Sequence, residues 1–260
     1  MSSHAQGEGG GRAGTGCEAE FKDLSGCMRQ LPWHKAAASV RFEELPPVTA
    51  FPVIPGKRWA PGWWWSATTG RHVVHGSAAM RSQLMVLDRD PGVVGLAGRP
   101  VRVVWRDGQG RVRSWVPQLF ARYTDGTALL ADCPAVLGGG GEPARLAAQY
   151  VGAACAEAGW VYRRLEPLDA VLAANVRWLA GYRHPRNAGS PERMAAVQEA
   201  FREPRPLIEG VRAVGDPMAV WPAVFHALWS GRLTVPLSRP LHERVLARPS
   251  TSAGVTGGEA

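Results

Sequence analysis

The residues with the most chemistry to offer are arginines. Arg99, Arg102, Arg106, Arg111 and Arg113 fall within fifteen residues, with Asp107 the single acid among them. A guanidinium presents a planar fork that suits phosphate or carboxylate, so a ribbon of this kind could hold a duplex by its backbone. The plainer alternative is a solvated hairpin. Two basic pairs, Arg71-His72 and Arg183-His184, stand beside Trp65 and Tyr182, and Arg186 follows the second pair closely. The candidate DNA-binding set is therefore Arg71, His72, Arg102, Arg106, Arg111, Arg113, Arg183 and Arg186. His75, His226 and His242 read as rings that satisfy a backbone carbonyl or a helix end.

Several other chemistries are excluded by pattern. Cys17, Cys27, Cys133 and Cys155 form no CxxC pair and have no histidine at zinc-finger spacing, so neither a metal nor a disulfide is assigned to them. The glycines at 138–141 are not followed by GK[ST], which removes a phosphate loop. There is no GxSxG, and neither Cys133 nor Cys155 has a histidine placed to act as its base.

Composition agrees with a polyanionic partner. The 260 residues carry a formal charge of +8, almost all of it from arginine, since only Lys22, Lys35 and Lys57 are lysines. Codon usage in a genome rich in G and C would produce the same excess. A hydrophobic share of 45% suits a globular core. No apolar run reaches eighteen residues, and the first sixteen lack the apolar stretch of a signal peptide, so a cytoplasmic protein is expected.

The elements that must position these groups begin at Trp63, Trp64 and Trp65, whose rings cannot all face one way in an extended segment. Thr68, Thr69 and Gly70 break that run. From Ser77, a plausible N-cap, Met80, Leu84, Met85 and Leu87 recur at helical spacing until Pro91. Strands are expected over 93–97 and 101–105, then one through Arg111, Arg113 and Trp115, then 119–123 and 127–133. The turns are at Asp107-Gly108 and Asp125-Gly126, and together the strands make one mixed or antiparallel sheet. A helix from Pro143 to the Gly159 stop, a strand over 160–165 and a helix over 167–182 complete an α/β domain. Residues 1–45 read as a flexible tail, 46–184 as the α/β domain, 185–248 as a small helical module and 249–260 as a second tail. The module has short helices over 191–201, 206–214 and 218–229 and a strand near Leu233. It fits a winged-helix unit or a plain three-helix appendage equally well.

The strings WWWSATTGRHV, LMVLDRDPGVVGLAGRPVRVVW, DGTALLAD and NVRWLAGYRHPR resemble the TnsA-like heteromeric transposase endonuclease subunits, over roughly residues 50–240. The resemblance implies a restriction-endonuclease-like fold, a mixed sheet flanked by helices, built around a PD-(D/E)xK site. In the family that site holds Mg²⁺ through carboxylates, uses a lysine to orient the attacking water, and nicks a transposon end with a partner transposase subunit. Here the family's helix glutamates fall on Gly76 and Met80, the Pro-Asp falls on Pro117-Gln118, and the (D/E)xK triplet falls on Asp132-Cys133-Pro134. Only Asp132 keeps a carboxylate, with Gln118 as a neutral neighbour, so at most a weak metal site at Asp132 is implied. A strand-end aspartate in a local turn is the other reading of Asp132.

Three functions follow. The first is a degenerate homologue that binds DNA, a partner transposase subunit, or both, and needs no cofactor. The second is a working Mg²⁺- or Mn²⁺-dependent endonuclease whose active-site residues have moved, with Glu142 the nearest carboxylate and Arg145 in place of the lysine. The third is a protein-interaction module that never touches nucleic acid. No membrane contact is expected, and the oligomeric state is left open.

Overall fold

The computed structural model describes residues 16–53 and 61–250. The expected tails at 1–15 and 251–260 lie outside the described residues.

The chain builds a first sheet from residues expected to be tail. Strand β1 (Glu18–Lys22) pairs antiparallel with β2 (Met28–Pro32), and helix α1 (Trp33–Ser39) and a single 3-10 turn at Phe42–Glu44 follow. The tail expectation is therefore corrected for residues 18–44. Its composition is polar, but Cys17, Ala19 and Phe21 are buried and alternate with Glu18, Glu20 and Lys22, the two-residue period of a half-buried strand. Trp33 anchors the segment. Its ring stacks on Phe42 and meets Trp160 edge to face, while its Nε1 donates to the Ala154 carbonyl at 2.6 Å.

After the proline-rich lead-in, hairpin β3 (Gly62–Trp65)/β4 (His72–His75) precedes helix α2 (Ala78–Arg89). Ser77 caps α2 as expected, its hydroxyl accepting from Met80 N at 3.1 Å. Strands β5 (Val93–Gly98), β6 (Arg102–Arg106), β7 (Val112–Trp115), β8 (Leu119–Tyr123) and β9 (Ala128–Asp132) follow. Helix α3 (Gly141–Glu157) then leads to β10 (Val161–Arg164).

These strands do not form one sheet. The order β10-β9-β8-β5 makes a mixed sheet in which only β10 and β9 run parallel, while β2-β1-β6-β7 makes a second, antiparallel one. The expectation of one sheet fails at one corner, between β5 and β6. Arg99 adopts φ 53°, a left-handed conformation rare outside glycine, and Pro100 follows it, so the chain leaves the first sheet for the second. The corner is held by Arg99 N donating to Gln118 O and Val48 N donating to Arg99 O. Gly98 is required beside it, because a Cβ there would lie 2.2 Å from the Val74 carbonyl oxygen.

The C-terminal part comprises α4 (Ala170–Ala180), a 3-10 turn at Pro185–Ala188, α5 (Pro191–Ala200), β11 (Arg205–Pro206), α6 (Leu207–Val214), α7 (Pro217–Trp229), β12 (Leu233–Thr234) and β13 (Leu246–Pro249). The last three strands pair in the order β11-β13-β12, so Pro249 belongs to a strand and not to a tail. The described residues form two hydrophobic cores. One lies between the two sheets and α3. The other joins Met80 and Leu84 of α2 to Val224, Leu228 and Trp229 of α7, so the C-terminal helices share their interior with the α/β part. Asn175 of α4 fastens the returning loop, donating to the Leu237 and Arg239 carbonyls and accepting from Leu241 N. The architecture is mixed α/β with several antiparallel pairings, and among the described residues no helix is long and apolar enough to cross a membrane.

Candidate functional site

Asp132 closes β9, all five of whose residues are buried, and the parallel neighbour β10 brings Arg164 directly alongside it in register. Three donors reach its carboxylate: Trp115 Nε1 at 2.6 Å and Tyr162 Oη at 2.5 Å to Oδ2, and Gln118 N at 3.2 Å to Oδ1. Burial pushes the Asp132 carboxyl above the usual aspartate range. The bonds from Tyr162, Trp115 and Gln118 N and the charge of Arg164 oppose that shift without cancelling it. Burial first, and then the nearby Asp132 charge, push the Tyr162 phenol and the Cys133 thiol upward, so both stay protonated at neutral pH. Arg164 donates through Nη2 to the Gly139 carbonyl, tying the glycine loop to the strand end. Gln118 turns its amide oxygen to Cys133 N at 2.9 Å.

A cavity of about 640 Å³ opens above this cluster, between the segment around Thr49–Pro52, the start of α2 and the Arg99 corner. Gly76, Gln118, Asp132 and Pro134, four of the positions singled out in sequence, line it together. Met80 does not. It is fully buried beneath α2, and Gly76 N donates to its sulfur. A side chain at Gly76 has no room, since its Cβ would lie 2.1 Å from Phe51 Cδ1.

The residues present do not fit a Mg²⁺ ion. That ion takes hard, anionic oxygen ligands in near-octahedral array. Asp132 spends three of its roughly four acceptor positions on protein donors. Glu142, weighed in sequence as a replacement ligand, and Arg145, weighed in place of the lysine, pair with each other on the exposed first turn of α3 and do not line the cavity. Among the described residues no three of His, Cys, Asp and Glu converge as a metal site.

The predicted DNA-binding residues divide into three groups. Arg111 Nε and Arg113 Nε both donate to Asp107 Oδ2, at 3.1 and 3.0 Å, and Arg102 Nη1 pairs with Glu20 Oε2 at 3.0 Å. Arg183 is structural: it lies over the Trp64 ring at 4.0 Å, and its Nε donates to the Trp65 carbonyl. Arg71, His72, Arg106 and Arg186 are exposed. Arg106 bonds the Gly110 carbonyl, and the His184 ring beside Arg186 stacks on Trp65 at 4.9 Å.

Sequence reasoning missed Asp88, Tyr162 and Arg164, and it placed Arg99 in the basic ribbon and not at this cavity. Asp88, buried at 5% exposure near the end of α2, accepts from Trp64 Nε1, Ser66 Oγ, Ala67 N and Thr68 N, locking the tryptophan hairpin onto the helix. Helical spacing from Leu84 was a signal for it, as it falls one turn along the buried stripe. Tyr162 and Arg164 come to Asp132 only through the parallel crossover, and Arg99 only through the corner. No family model matches the chain, and no curated protein matches it.

Proposed function

We propose that this chain is a TnsA-like transposase endonuclease homologue that has lost metal-dependent cleavage and works by binding DNA, a partner transposase subunit, or both. The observation that carries the reading is the sealing of Asp132 by Trp115, Tyr162 and Gln118 N, with the Phe51 ring packed over Gly76. A site built for metal would leave carboxylate oxygens facing the cavity. The order α2, β5, β8, β9, α3, β10, with a parallel crossover into a mixed sheet, supports a restriction-endonuclease-like core. Three helices followed by the β12/β13 pairing support a winged-helix reading of the C-terminal part, and action on DNA in the cytoplasm accords with both.

The test is a nicking assay on supercoiled DNA with Mg²⁺ and with Mn²⁺, alone and with a candidate transposase, beside a duplex-binding titration over salt. Cleavage above background that Asp132→Ala abolishes would return the protein to the active endonucleases. One observation favours the interaction-module reading. Three of the ribbon's arginines, Arg102, Arg111 and Arg113, are paired within the protein with Glu20 and Asp107, which reduces the charge left for phosphate. Absence of salt-dependent duplex binding would select it.

A further inference from the structure

We propose that the cavity beside Asp132 is a metal-free phosphate site, read by the Nε–Nη2 edge of Arg99 with Arg102, Thr49 and Ser77. The inference deepens the DNA-binding reading by naming the chemical group this cavity takes. Among the described residues Asp132 is the one carboxylate lining it, and that carboxylate is turned to Trp115, Tyr162 and Gln118 N. The cations have less to satisfy them. Arg99 gives Nη1 to the Ala50 carbonyl at 3.1 Å and lies over the Phe51 ring at 4.7 Å, which leaves the fork edge that suits two oxygens of one phosphate.

Arg99 Nε and Thr49 Oγ1 are both sealed from solvent and have no hydrogen-bond partner among the described residues. An unpaired buried donor is costly, and an acceptor oxygen admitted by a small shift of Phe51 would satisfy both. Burial weakens the charged form of Arg99, and the neighbouring Arg102 adds to this more than Asp132 offsets it. An entering anion relieves that repulsion. Among the described residues Arg102 pairs through Nη1 alone, with Glu20, and the Ser77 hydroxyl, which accepts from Met80 N, retains its proton to donate. The left-handed backbone of Arg99 places a strained, charged residue at the cavity wall, a cost often found at binding sites.

The experiment is calorimetric titration and thermal unfolding of the full chain with inorganic phosphate, in EDTA and at constant ionic strength set with chloride. Saturable binding is expected. Arg99→Gly, which removes the guanidinium while tolerating φ 53°, should weaken it by about tenfold, near 1.4 kcal/mol. Thr49→Val, close to isosteric, should weaken it in the same direction and serves as the second variant if Arg99→Gly does not fold. Absence of saturable binding, or wild-type affinity in both variants, overturns the site. Duplexes with and without a 5′-phosphate separate the sources. Preference for the phosphorylated end supports a DNA terminus, and equal affinity with phosphate binding retained supports free phosphate. Phosphate binding without any duplex binding leaves the site standing while the DNA reading falls. Duplex binding without phosphate binding does the reverse.

Discussion

The ring of Phe51 occupies the space that a side chain at Gly76 would need, with Phe51 Cδ1 2.1 Å and Cγ 2.6 Å from the Cβ position. Gly76→Ala should therefore destabilise the protein by about 1–3 kcal/mol, because the ring must leave its place under Arg99. In a Phe51→Ala background the same change should cost much less. Urea unfolding of the two single variants and the double variant measures the coupling, and strict additivity would show that ring and glycine do not compete.

Asp88 should matter more to stability than Asp132. Asp88→Ala strands the Trp64 indole, the Ser66 hydroxyl and two backbone N–H groups inside the protein, a loss of about 3 kcal/mol. The hairpin carrying the tryptophans should loosen first. Hydrogen exchange at Ala67 and Thr68 gives the local readout, and unchanged protection there would show that the hairpin is held by packing alone.

Asp107 restrains the basic ribbon. Its Oδ1 accepts from Gln109 N and Arg111 N while Oδ2 holds both guanidiniums, so Asp107→Asn can keep the turn and release the arginines. Duplex affinity should rise in Asp107→Asn and fall when Arg111 and Arg113 are both changed to Ala. The slope of log affinity against log salt should steepen by about one to two in the Asn variant. Equal slopes in all three proteins would remove this ribbon from the interface.

One buried histidine, His75, and one half-buried histidine, His226, set an acid limit. Burial first, then Arg81, lowers the His75 value. Burial also leads at His226, with Arg232 and His184 adding to it and the Tyr182 carbonyl opposing. A histidine whose folded value is depressed binds fewer protons folded than unfolded below the ordinary value of 6.5, so stability must fall as pH drops through that value. The unfolding midpoint should be flat from pH 7 to 8 and decline below about 6.5, less so in His75→Phe. A midpoint that holds steady down to pH 5 would contradict neutral burial of these rings.

Local pattern was enough for the elements whose information is contiguous. Ser77 before Met80, Leu84 and Leu87 specified α2 and its cap, and Asp107-Gly108 and Asp125-Gly126 specified their turns. The strand alternation of Cys17, Ala19 and Phe21 was present too, but a short polar hairpin reads as tail until Trp33 and Phe42 supply the core it packs on. Sheet membership was not available locally, because one left-handed residue at Arg99 decides whether β6 continues the first sheet or leaves it. The site divides in the same way. Sequence alone named Gly76, Gln118, Asp132 and Pro134, and the fold brings all four to one cavity. What that cavity can do depends on Phe51, Arg99, Tyr162 and Arg164. These reach Asp132 and Gly76 through a corner, a parallel crossover and a lead-in segment, long-range contacts that no spacing along the chain encodes.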